Sequence, residues 1–229
     1  MAIMLTPRLR TIAEMVDSGS KVADIGTDHG FIPIYLLILG KISYAVASDI
    51  HMGPLDKARE NTLKYGVGEK MRLCRADGME GLRENEVDTA VIAGMGGELM
   101  GRILNRVPQG VNTLILQPMT DVDGVRKKVH QIGFTLVQEK IVREEEKFYI
   151  VLKARRGACP YWSERDYIIS PLLWEDEELG SYLELKLSQV QRALDQLKHS
   201  KRTEIIKQFE LIKSWYEERL ETWRQYKIS

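Results

Sequence analysis

Two rhythms alternate along the first 157 residues. Short runs rich in apolar residues at 22–25, 43–47, 71–75, 87–93 and 111–116 are too brief for helices and read as strands. Between them, apolar positions return every three or four residues. The first such stretch opens with Thr6-Pro7 as N-cap and first helical residue, carries Leu9, Ile12, Ala13 and Val16, and stops at Ser18-Gly19-Ser20. Others cover 31–39, 54–64 (closed by Tyr65-Gly66), 98–107 and 122–132. This alternation predicts an α/β fold, a doubly wound and mostly parallel sheet. From 134 to 142 and from 147 to 154 apolar and polar residues alternate singly, separated by Arg143-Glu144-Glu145-Glu146. That pattern predicts a β-hairpin closing the sheet with an antiparallel strand.

Residues 155–160 mark a boundary, so the expected domains are 1–157 and 158–229. A short connecting element at 161–174 is interrupted by Pro171. Leu179, Leu183, Leu187, Val190, Leu194 and Leu197 then form one seam, and Ile205, Phe209, Ile212, Tyr216, Leu220 and Trp223 form a second. Two amphipathic helices joined through His199-Ser200-Lys201-Arg202 make an antiparallel helical hairpin of coiled-coil type. Burying the seam accounts for its leucines without any chemistry.

The chain of 229 residues accommodates one α/β domain of about 150 residues and a smaller appendage. Formal net charge is zero, and the appendage carries 11 Lys+Arg against 13 Asp+Glu where the preceding part has 22 against 20. No overall basic field announces a polyanion, which would have to be gripped by local patches. Cys74 and Cys159 offer neither a disulfide framework nor metal-ligand spacing. No apolar run exceeds that at 31–39, too short for a bilayer, and Pro7, Arg8 and Arg10 break any signal-peptide pattern. A cytoplasmic protein is expected, with no membrane, no metal and no obligate protein partner.

Candidate chemistry gathers at the strand ends. The first strand enters Asp24-Ile-Gly26-Thr-Asp28-His29-Gly30, where Gly26 allows a sharp turn and the close approach of a ligand. This is not the dinucleotide spacing G-x-G-x-x-G. An acidic residue two before the first glycine is instead the usual opening motif of adenosylmethionine-dependent methyltransferases. Asp49 ends the second strand 19 residues beyond Gly30, where a carboxylate can accept ribose hydroxyls, a reading favoured there over a helix N-cap or turn aspartate. Asp77-Gly78 follows the third strand and reads either as an adenine contact or as a plain Asp-Gly turn. Gly94-Met95-Gly96-Gly97 follows the fourth, either to approach something flat or to pack a helix start tightly on the sheet. The strands ending at Ile25 and Ala93 are expected to flank the reversal of strand order. The terminal hairpin favours a methyltransferase domain over a dehydrogenase domain, which ends in a parallel strand.

Together with Ser48-Asp49-Ile50, Asp77-Gly78-Met79 and Leu116-Gln117-Pro118-Met119, these strings resemble the bacterial tRNA (adenine-22-N1)-methyltransferases over nearly the whole chain. That family has a Rossmann-like class I domain followed by a two-helix coiled coil. The resemblance implies S-adenosylmethionine as cofactor and tRNA as partner, with transfer to adenine N1 in the D-arm. It assigns cofactor binding to Arg8, Asp24 (near the methionine amine), Gly26, Asp28, Gly30, Asp49, Ile50, Asp77, Gly78, Gly94 and Met95. Asp28, His29 and Met95 stand as catalytic candidates: Asp28 to stabilise the cationic product, His29 to hydrogen-bond the base, Met95 to form one wall. A turn histidine without a role remains equally open for His29. Gly96, Gly97, Gln117 and Pro118 fall on the substrate side, and Arg8, Arg10, Arg126, Lys127, Lys128, Arg155 and Arg156 are candidates for RNA phosphates. Exocyclic-amine methyltransferases carry Asp/Asn-Pro-Pro-aromatic where this chain has Gly94 to Gly97, a departure that points to N1. Other readings are a methyltransferase for another RNA site or a small molecule, and a non-catalytic cofactor-binding module.

Overall fold

The computed structural model describes residues 3–198 and 202–228, so Lys201 and the His199–Lys201 turn lie outside the described residues. The chain divides into two compact units, Met1–Pro160 and Tyr161–Ser229.

Unit one is a seven-stranded sheet: β1 (Lys21–Ile25), β2 (Tyr44–Asp49), β3 (Met71–Arg75), β4 (Thr89–Met95), β5 (Thr113–Pro118), β6 (Phe134–Glu144) and β7 (Lys147–Arg156). Their order is β3-β2-β1-β4-β5-β7-β6. The first five are parallel, and β7 runs antiparallel to both β5 and β6. Strand order reverses between β1 and β4, as their sequences anticipate. Each expected strand forms, with its ends within two residues of the expected ones, because backbone pairing and side-chain pattern need not stop at the same residue.

Helix α1 (Pro7–Met15) precedes the sheet, and α2 (Phe31–Ile38), α3 (Met52–Lys64), α4 (Gly97–Leu104) and α5 (Val122–Gln131) connect its strands. The central strands are buried on both faces; Val22, Ala23, Ala45, Val46, Ala90, Val91, Leu114 and Ile115 are fully enclosed. Helix α1 is capped by the Thr6 hydroxyl, which accepts the Leu9 amide, and Pro7 fills its first position. It packs on β5, β6, β7 and α2 through Ile12, Ala13 and Met15. That docking carries the first turn of α1, and with it Arg8, to the end of the hairpin strands.

Two irregularities matter below. Register slips between Ala93 and Met95 where β4 meets β5, leaving Gly94 without a ladder partner. A second slip, between Leu136 and Gln138 in β6, leaves Val137 unpaired and half exposed.

Unit two contains α6 (Glu164–Ile168), α7 (Leu179–Leu197) and α8 (Thr203–Ile228). Ser163 and Asp166 form a reciprocal capping box on α6. Antiparallel pairing of α7 and α8 follows from Glu184 meeting Arg224 at 2.7 Å and from Gly180, where an added Cβ would strike the Trp223 ring. Leu179, Leu183, Val190, Tyr216 and Leu220 are buried in the seam, with Tyr182 added to it. The seam of α8 opens through Ile206 and Phe209, while Ile205 faces out.

Candidate active site

The site is built at the C-terminal ends of β1 and β4. After Ile25 the chain turns at Gly26, whose φ of +73° suits glycine, and the Gly26 and Thr27 amides both donate to the Ser48 carbonyl. The Thr27 hydroxyl donates to Asp24 Oδ2 at 2.6 Å and accepts the Gly30 amide at 3.1 Å. Asn61 on α3 donates to the His29 carbonyl at 2.9 Å, so the turn is tied on both sides before α2 begins. Thr27 escaped the sequence reading; its only local signal is a hydroxyl three residues after an acid at a turn.

Asp24 is the one buried carboxylate here, 6% exposed. Burial drives its pKa up to about 6, the Thr27 hydrogen bond opposes the shift, and the nearby Asp49 charge adds to it. A carboxyl so placed gains from a cation brought beside it.

A hollow of about 540 Å³ opens over this turn, lined by Arg8, Leu9, Asp24, Gly26 to Ile32, Ala93 and Gly94. Arg8 reaches it from α1. Its Nη1 donates to Gln117 Oε1 at 2.7 Å, its amide donates to Glu144 Oε2 at 3.0 Å, and its guanidinium lies 5.2 Å from the Tyr149 ring centre. Its Nε is buried and has no protein partner. His29 and Phe31 stack nearly parallel at 5.0 Å, and His29 Nε2 lies 3.2 Å from Asp28 Oδ2, which is largely exposed.

The expected cofactor residues therefore separate into groups. Arg8, Asp24, Gly26, Asp28, Gly30 and Gly94 share one hollow. Asp77 and Gly78 line another, of about 430 Å³, with Met79, Leu99, Arg102 and Ile103. Asp49 and Ile50 sit between β2 and β3 at the same sheet edge: the Asp49 carbonyl accepts the Ala76 amide, and Ser48 Oγ donates to the Gly78 carbonyl at 3.4 Å. Asp49 Oδ1 accepts the His51 amide at 2.7 Å, a local turn that leaves further lone pairs on the carboxylate. Met95 lays its terminal methyl directly against Gly26, where any Cβ would collide with it.

Several expected substrate contacts are corrected. Arg126 is 1% exposed, locked to the fully buried Glu139 by Nη2–Oε2 at 2.6 Å, and offers no surface to a phosphate. Arg156 spends its guanidinium on the Val111 and Pro108 carbonyls and the Phe134 ring. Gln117 is 0% exposed and Pro118 is buried, so neither reaches a base. Gly97 is buried because a Cβ there would meet the Thr120 carbonyl oxygen at 2.6 Å; with Gly96, 3.4 Å from Thr120 Oγ1 on the same measure, it serves helix packing. Lys127 and Lys128 are half buried on α5, and Arg155 is exposed beside Asp17 at 3.1 Å. Among the described residues no cluster of three His, Cys, Asp or Glu side chains is placed to hold a metal ion, and no helix is long and apolar enough to cross a membrane.

Comparison with known proteins fits this geometry. Residues 5–152 match the family model described as a methyltransferase domain. Over 158 residues the chain is 35% identical to the tRNA (adenine(22)-N(1))-methyltransferase of Bacillus subtilis, covering 68% of this chain and 66% of that protein. The crystal structure of the B. subtilis adenine-22 N1 tRNA methyltransferase superposes with a TM-score of 0.85 at 27% identity, covering 95% of this chain and 99% of the other. A Streptococcus pneumoniae chain solved in complex with S-adenosyl-L-methionine superposes equally well, with a TM-score of 0.85 at 29% identity and coverage of 95% and 100%. With a methyltransferase-domain match over most of unit one and whole-chain likeness to these structures, the chain belongs to the bacterial tRNA (adenine-22-N1)-methyltransferase family.

Proposed function

We propose that this protein transfers a methyl group from S-adenosylmethionine to N1 of adenine 22 in the D-arm of tRNA. The observation that carries the reading is the joint presence of Arg8 and Asp24 on one hollow above Gly26. A free amino-acid end carries one negative and one positive group. Arg8 has a buried donor without a partner for the first, and Asp24 has a buried carboxylate for the second. The residues thus fit the methionine end of the cofactor. Asp49 would take the ribose and Asp77-Gly78 the adenine, in the second hollow.

When bound, adenosylmethionine would supply an electrophilic sulfonium methyl to the in-plane lone pair of adenine N1, the N–C bond forming as the S–C bond breaks to leave the neutral thioether, with no strong base needed. The protein's contribution is positioning. Gly94 keeps a side chain out of the path, Met95, with its methyl seated on Gly26, walls the base, and the tied Asp24–Gly30 turn fixes the floor. Asp28, exposed at the mouth, places a carboxylate where positive charge arises on the purine ring. His29 and Phe31 present a stacked pair beside it for a base extruded from the tRNA, at an unstacking cost of a few kcal/mol. Arg10, Lys127, Lys128 and Arg155 are the proposed phosphate contacts, which position RNA without reading its sequence.

The test is labelled methyl transfer to an unmodified tRNA transcript, with reverse-transcription stops locating the product. A stop at adenine 22 that disappears when guanine replaces that base is the expected result. Transfer elsewhere on the RNA would refute the position while keeping the chemistry.

A further inference from the structure

Arg8 and Gln117 are 109 residues apart in sequence, yet the one is aimed by the other. Gln117 is wholly buried at the end of β5, and its orientation is fixed from both ends of the amide. Its Nε2 donates to the Pro118 carbonyl at 2.9 Å and contacts Met119 Sδ at 3.5 Å, so Oε1 must face the other way. That oxygen accepts twice: from Arg8 Nη1 at 2.7 Å and from the Gly94 amide at 3.1 Å. The second bond explains itself. Gly94 is the residue left out of the β4–β5 ladder, and its amide would be orphaned without a side-chain acceptor. Because the bulge amide pins Oε1, the acceptor offered to Arg8 stands at a fixed point. Tyr149 beneath the guanidinium and Glu144 on the Arg8 amide complete the support. A planar guanidinium held at one Nη and placed over an aromatic ring has little freedom left in the direction of its Nε. That Nε is the buried donor with no partner in the protein.

We infer that Gln117 is a positioning residue of the site, holding Arg8 so that its unpartnered Nε meets the carboxylate at the methionine end of the cofactor. The inference rests on the cofactor reading above. Gln117 touches no ligand. It acts on one group of one ligand, through one arginine.

The discriminating quantity is the ratio of affinities for S-adenosylmethionine and for decarboxylated S-adenosylmethionine, which lacks only that carboxylate. Calorimetry on the full chain measures it for the native protein, Gln117→Met, Arg8→Ala and the double variant. Gln117→Met is expected to lower the ratio about tenfold, the usual scale for one charge-assisted hydrogen bond. In the Arg8→Ala background the same substitution is expected to leave the ratio unchanged, since its intermediary is gone. Loss of affinity for both ligands alike would mean that Gln117 only supports the bulge, and would overturn the inference. So would a further fall of the ratio in the double variant. Gln117→Glu keeps the volume and both acceptor bonds but sets a competing carboxylate against Arg8; it too should lower the ratio, and an unchanged ratio counts against the proposal even if Gln117→Met does not fold. Failure of the native protein to bind either ligand would instead overturn the cofactor reading, and this inference with it.

Discussion

Asp24 is a carboxyl group held largely out of water, and its behaviour with pH follows from that. With its pKa raised from 3.8 to about 6, the folded protein binds this proton more tightly than the unfolded chain does. Its contribution to stability is therefore fully present below pH 3.8 and is lost as pH rises through about 6. Cofactor binding has the opposite sign, because an ammonium group gains only from the ionised form. Affinity for adenosylmethionine should climb between pH 5 and 7, with proton release on binding near pH 6. Calorimetry in buffers of different ionisation enthalpy reads that release; its absence would detach Asp24 from the amine. Asp24→Asn should raise the melting temperature at pH 7.5 while weakening cofactor binding, two readouts that move apart. Asp24 and Gly26 were legible in the sequence because their geometry is local to one turn. Arg8 as a cofactor ligand had to be borrowed from resemblance, since Gln117, Glu144 and Tyr149 lie more than 100 residues away.

Among elements, the two register slips decide what the sequence concealed. Read as a strict alternation from Phe134, β6 puts Glu139 on the outer face. The slip at Val137 shifts the phase, so Phe134, Leu136, Glu139 and Ile141 all turn inward. Arg126, in a run of three cations that looks like a surface patch, turns inward from α5 to meet Glu139. Removing one partner strands a buried charge: Arg126→Ala should cost on the order of 3–5 kcal/mol in denaturant unfolding. Arg126→Met, paired with Glu139→Leu, should recover most of it. If Arg126→Ala instead kept full stability and lost only tRNA affinity, the phosphate role would be restored. The start of α4 gives a second case. Gly97→Ala drives a Cβ into the Thr120 carbonyl oxygen, backbone that cannot rotate aside, and should destabilise by about 1–3 kcal/mol. Gly26→Ala meets the flexible end of Met95 instead, so its effect should fall mainly on cofactor binding, although a φ of +73° adds some strain. Glycine spelling was visible in both places; which glycine meets a flexible side chain beside the hollow and which meets a neighbouring loop depends on what folds against it.

At the scale of the whole molecule, unit one closes a core of its own, with its central strands enclosed on both faces and six of the expected cofactor residues, Arg8, Asp24, Gly26, Asp28, Gly30 and Gly94, on one hollow at its switch point. The residues that line the hollow over Gly26 belong to unit one. The helical hairpin, 11 cations against 13 acids, is not an electrostatic arm, and its buried seam accounts for its leucines. Its polar faces are exposed, with Lys198 and Arg202 flanking the three residues outside the described ones. A protein ending at Pro160 should therefore bind adenosylmethionine with the affinity of the full chain. Its rate on tRNA should fall on the order of a hundredfold, because an RNA held without its second support presents adenine 22 out of line with the methyl group. Raising salt should weaken tRNA binding steeply for the full chain and less steeply for the shortened one, the difference in slope counting the phosphates that unit two neutralises. Equal activity and equal slopes would assign all RNA contacts to unit one, leaving the hairpin a role that tRNA does not test.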